Sequence, residues 1–174
     1  MQRAAGCAYR ADCVRVVTSC IDLIRAALLW YLGKVSRPIR LLLVLMWGGL
    51  IWFASSRPGS DTPRHQVVSI LWNSAHVVVF GVLSGLILLS TQGCTRSRCL
   101  WAVAISVVYG VLDEFHQQQV NGRVMDFWDV CSDALGASIV VCAVTWVLTG
   151  NRQAALLFWP LLVSAVATVL LAAG

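Results

Sequence analysis

The chain of 174 residues is 59% hydrophobic and only 12% charged, with a formal net charge of +5 and a mean hydropathy of +0.77. A soluble domain carries roughly 25% charged residues and about 45–50% apolar ones, so disorder is excluded and a water-soluble globule is disfavoured. Polar surface is too scarce to coat such a body, whereas a bilayer can face the apolar excess.

Seven of the 13 basic residues precede position 41: Arg3, Arg10, Arg15, Arg25, Lys34, Arg37 and Arg40. No nucleic-acid motif accompanies them, so no nucleic-acid partner is expected. They read instead as a signal that holds this end in the cytoplasm. Residues 14–32 are apolar but contain Arg15, Asp22 and Arg25. Charges inside a membrane are expensive, so an amphipathic helix lying at the interface is expected here. No short apolar core followed by a small-residue cleavage site appears, so a cleaved signal peptide is not expected.

Five stretches then approach the ~20 apolar residues a spanning helix needs: 39–56, 71–91, 99–118, 130–149 and 154–173. Pro160 is expected to kink the last. The fold class is therefore all-α: a multi-pass transmembrane helical bundle with four core spans, a C-terminal fifth and an N-terminal amphipathic helix. Residues 1–37 form the basic N-terminal segment, 38–150 the four-helix membrane domain and 151–174 the added helix. With the N-terminus inside, ten Lys and Arg fall in inner segments. Arg57, Arg64 and Arg123 fall outside. That bias sets the orientation.

The seven cysteines, at 7, 13, 20, 94, 99, 131 and 142, form no CxxC pair. An odd count at scattered spacing is neither a disulfide framework nor a zinc knuckle. Cys142 reads as a small core residue. His65, beside Arg64 in an outer loop, reads as a solvated side chain. The tryptophans fall mostly near span ends and read as interfacial belts.

The acids carry more information. Five of the eight fall within 21 positions: Asp113, Glu114, Asp126, Asp129 and Asp133. Ionisable groups at membrane depth mark candidate sites. On a helix, Asp113, His116 and Gln117 share a face, with Glu114 about 100° away. Arg123, Asp126, Asp129, Asp133 and Gly136 make one stripe if the stretch is helical, and Gly136 invites close helix approach. Asn73, His76 and Phe80 share a face of the preceding span. All three faces fall at one membrane side, the outer one under the charge bias.

The order of these pieces resembles the VanZ-like family of bacterial membrane proteins. It runs Ser55-Ser56-Arg57-Pro58-Gly59, then His76 in NSAHVVVFGVLSG, then Tyr109, Asp113, Glu114 and Gln117. Gly122-Arg123 and an acid-bearing helix start with Asp129, Asp133 and Gly136 complete it. The sequence departs at Trp72 and Asn73, where many members carry Asp-Lys, and at Asn121, where a proline is common. The resemblance implies a multi-pass protein of the bacterial plasma membrane linked to glycopeptide (teicoplanin) resistance, and the charge bias implies a cytoplasmic N-terminus.

The candidate ligand-binding set is His76, Asp113, Glu114, His116, Gln117, Arg123, Asp126, Asp129 and Asp133. The partners expected are the lipid bilayer and a cell-envelope lipid or peptidoglycan-related ligand. The alternatives are an acid–base or metal-dependent enzyme acting on such a molecule, proton movement, and a polar network that only joins helices. A metal variant would use His76, His116 and one or two acids. No HExxH or nucleophile elbow is present, and neither a cofactor nor a metal is assigned.

Overall fold

The computed structural model describes residues 2–59 and 66–172. Among the described residues there are six α-helices and no strand: α1 (Gln2–Lys34), α2 (Arg37–Ser55), α3 (Gln66–Ser90), α4 (Arg96–Gln117), α5 (Phe127–Thr149) and α6 (Arg152–Ala172). Arg64 and His65 lie outside the described residues.

Local chemistry sets several helix ends. Ser36 precedes α2 with Pro38 in the first turn, where a missing N–H costs nothing. The Thr95 side chain caps α4 by accepting from the Arg98 amide. The Asp126 side chain caps α5 by accepting from the Trp128 amide at 2.8 Å. Gly150, with φ at 68°, ends α5 in the left-handed region that glycine tolerates. α6 continues through Pro160.

All six helices are long and apolar enough to cross a membrane. Within α1 the qualifying stretch is Val16–Lys34. Large apolar side chains such as Leu45, Val78, Ile105 and Val163 stay exposed on the bundle's outside. Water would reject that surface and lipid accepts it. The chain is a membrane protein.

α3 and α5 form the central pair, flanked by α2, α4 and α6. Their contact depends on missing side chains. A Cβ on Gly136 would lie 2.7 Å from the carbonyl carbon of Val77, and one on Gly81 would lie 3.1 Å from the Gly136 oxygen. Two backbones thus meet where glycine allows it. Phe80, Leu83, Leu88 and Ala102 fill the adjoining core. The Ser84 hydroxyl donates across the pair to the Ala137 carbonyl at 3.0 Å, and the Trp47 indole ties α2 to the Val79 carbonyl at 3.0 Å. α2 and α4 finish at the same end of the bundle at which α3 and α5 begin, and the polar residues collect there.

Cys94 and Cys99, at the opposite end, are free thiols, as are Cys20, Cys131 and Cys142 elsewhere among the described residues. In the α3–α4 connector, burial, reinforced by neighbouring Cys99, pushes the Cys94 thiol above its ordinary range. That keeps it protonated and a poor nucleophile near neutral pH.

Candidate functional site

The last turn of α4 is the hub. Gln117 stands four residues from Asp113 and three from Glu114, so its amide nitrogen reaches both. It donates to Asp113 Oδ2 at 2.9 Å and to Glu114 Oε1 at 3.2 Å. All three side chains are buried. Glu114, turned away from Asp113 as its place on the helix predicts, is nonetheless buried. α4 has neighbours on more than one side, so adjacent positions can both face protein. Asp113 looks toward α2, where the Ser55 hydroxyl donates to Oδ2 at 2.7 Å. Glu114 looks toward α5, where Oε2 accepts the Asp126 amide at 2.9 Å.

His116 leaves this group. Its ring stacks on Trp52 with centroids 3.9 Å apart, and Nε2 shares a 2.9 Å hydrogen bond with Ser56. It anchors α4 to α2 rather than joining the acids.

His76 enters from α3. Its Nδ1 lies 3.0 Å from Asp133 Oδ1 and its Nε2 lies 3.7 Å from Asp129 Oδ2. Against an ionised Asp133, which only accepts, Nδ1 would be the donor of this bond. Phe80, one turn on, lies parallel to the imidazole with centroids 6.2 Å apart. Asp133 itself presses on α4 where there is no side chain: a Cβ on Gly110 would sit 2.6 Å from its Oδ2.

The single stripe from Arg123 to Gly136 is only half helical. Residues 118–126 form a turn and connector, with Gly122 at φ 72°, and α5 starts at Phe127. Asp129, Asp133 and Gly136 remain on the helix. Asp126 is its cap and offers its amide to Glu114. Arg123 is held by the connector: it donates to Gln117 Oε1 at 3.0 Å and to the Arg57 carbonyl at 3.3 Å, with its guanidinium 5.7 Å above Trp72. It therefore joins the Gln117 network and not the Asp129–Asp133 face. Gly59 completes the closure, its amide donating to the Asn121 carbonyl at 3.0 Å. A methyl there would run into the Gly122 carbonyl.

A cleft opens onto this network between α2, α3 and α4. Ile51, Ala54, Val79 and Phe80 give its lining apolar surface, and Ser55, His76, Asp113, Gln117 and Arg123 give it polar groups. Asp113 is 2% exposed, yet its Oδ1 has no hydrogen-bond partner. An unsatisfied buried acceptor costs about 1–3 kcal/mol. Three groups also converge beside the cleft: ligand-type atoms of His76, Glu114 and Asp129 all lie within 4.8 Å of one another. Ser55 and Trp52 were not singled out from sequence as site residues. Their only signal was the Ser55-Ser56 pair closing the first core span.

The VanZ/LLP1 family model matches residues 39–148, which is more than half the chain. The chain belongs to that family. The search of the curated proteins and that of the solved structures each found no match.

Proposed function

We propose that this VanZ/LLP1-family protein sits in the bacterial plasma membrane with its N-terminus cytoplasmic. There it binds the polar head of an amphiphilic cell-envelope molecule from the extracytoplasmic side. The observation that carries this reading is the mixed lining of the cleft, in which Ile51, Ala54, Val79 and Phe80 adjoin Ser55, His76, Asp113, Gln117 and Arg123. An amphiphile presents both chemistries at once. The carboxylates suit hydroxyl or amine groups, and Arg123 suits phosphate. The ten-to-three distribution of basic residues supports placing this end outside. Through the family, the reading extends to a role in glycopeptide susceptibility.

The test is susceptibility of a bacterial host to teicoplanin, with membrane abundance of the protein measured in parallel. His76→Gln and Asp113→Asn keep hydrogen-bonding capacity while removing the imidazole or the charge. Loss of protection at normal abundance supports the site. Full protection by both variants overturns it. Loss that tracks falling abundance would mean that the network only holds helices together.

A further inference from the structure

We propose that His76, Glu114 and Asp129 bind one divalent transition ion of the manganese or zinc class. The inference concerns these three side chains and stands or falls apart from the amphiphile reading above.

Three observations carry it. The first is convergence: one imidazole and two carboxylates, drawn from α3, α4 and α5, offer atoms that lie within 4.8 Å of one another. Imidazole and carboxylate ligands suit zinc and manganese. The second is the spacing between His76 Nε2 and Asp129 Oδ2. At 3.7 Å it is too long for a hydrogen bond. Two ligands each about 2.1 Å from one tetrahedral ion sit roughly 3.4 Å apart, so a small inward movement admits an ion between them. The third is the arrangement behind the ligands. With Asp133 ionised, His76 Nδ1 is the donor across their 3.0 Å contact, which leaves Nε2 facing Asp129 at 3.7 Å. A carboxylate behind a ligating histidine is the usual way a protein fixes the ring and its tautomer. Glu114 is fixed likewise, by the Asp126 amide at 2.9 Å and Gln117 at 3.2 Å.

The ion changes what the site attracts. Two ionised carboxylates and a neutral imidazole leave the triad at charge −2, and a divalent ion brings it to zero. Open coordination positions then accept an oxygen of a phosphate or carboxylate that the bare acids would repel. This ligand set differs from the sequence-based pairing of His76 with His116, because His116 is stacked on Trp52.

The competing arrangement is an ion triad in which His76 carries a proton between Asp129 and Asp133. Manganese separates the two, because it prefers oxygen and imidazole ligands to the chain's thiols and is paramagnetic. The full-length protein is purified in lipid nanodiscs, stripped with chelator, and titrated with Mn2+ by electron paramagnetic resonance. The expected result is one equivalent bound per chain, with an electron spin-echo modulation from a single imidazole nitrogen. The signal should persist in His65→Gln/His116→Gln, which leaves His76 as the sole histidine. In His76→Gln the nitrogen modulation should disappear. Asp133→Asn should weaken binding by about 10–100-fold, as loss of such a supporting carboxylate does. Absence of stoichiometric binding to the wild type, or nitrogen modulation that survives His76→Gln, overturns the proposal. Either result leaves the susceptibility test of the cleft unaffected.

Discussion

Gly136→Ala should separate the central helices and unlatch the site with one methyl group. The new Cβ would stand 2.7 Å from the Val77 carbonyl carbon and 2.8 Å from its Cα. The Val77 carbonyl oxygen lies closer still; carbon atoms in contact prefer about 3.5–4.0 Å, so α3 and α5 must part by about 1 Å or more. Val77 follows His76, and Asp133 lies one turn before Gly136. The same displacement would lengthen the 3.0 Å His76–Asp133 bond past hydrogen-bonding range. Overpacking of this kind costs about 1–3 kcal/mol. A hydrogen bond between membrane helices adds about 0.6 kcal/mol on average. Alanine's better helix propensity returns about 0.5–1 kcal/mol. The net expected loss is about 1–3 kcal/mol, which is roughly a 5- to 150-fold shift in the unfolding equilibrium. Reversible unfolding in mixed micelles measures it. Gly49→Ala is the control, because nothing lies within 4 Å of its would-be Cβ, and it should be neutral or slightly stabilising. A Gly136→Ala protein as stable as the wild type would refute the close-approach reasoning.

Three further outcomes are expected. In a background without native cysteines, Asn121→Cys should be labelled by an impermeant maleimide from outside the cell and Ser97→Cys only after the membrane is opened; the reverse would invert the topology. Arg123→Gln should loosen the connector over residues 118–126, seen as faster amide exchange there, because both its bond to the Arg57 carbonyl and its bond to Gln117 are lost; helix insertion should be unchanged. Alkylation of Cys94 should be slower in the folded protein than in the detergent-unfolded chain near pH 8. A raised thiol pKa leaves less thiolate at any pH below it, so the rate should climb and the difference shrink as pH rises through the folded value.

The helices were legible because lipid, not a partner surface, selects their composition. A run such as LLLVLMWGGLIWFA can only be read one way, and it is α2. The ends were less legible, for a physical reason. Hydropathy reports where hydrocarbon begins, whereas a helix continues as long as its backbone bonds are satisfied. α3 therefore starts at Gln66, five residues before the apolar run at Leu71. The break at 118–126 escaped the spacing rule because a period of three or four describes a helix only if one exists. Gly122 at positive φ and the Asp126 cap decide that it does not.

In the site, pairings within one helix were readable and those between helices were not. Asp113 with Gln117 follows from spacing alone. Glu114 with Gln117 is an i, i+3 pair too; what spacing could not show is that its other oxygen meets the Asp126 amide, because α4 packs against α2, α3 and α5. Ser55 was hidden for a related reason: a serine at a helix end serves equally as a terminus or as a donor, and only the 2.7 Å approach of Asp113 distinguishes them. His76 shows the limit of sequence spacing. Its partners, Asp129 and Asp133, stand 53 and 57 positions away, and no periodicity reaches that far. What joins them is the contact of Gly136 with Val77. The smallest side chain in the stretch, not the charged ones, sets how close the imidazole comes to its carboxylates. In a bilayer, where apolar burial does not press helices together, that steric permission decides whether His76 and these two acids form a site or remain three separate costs.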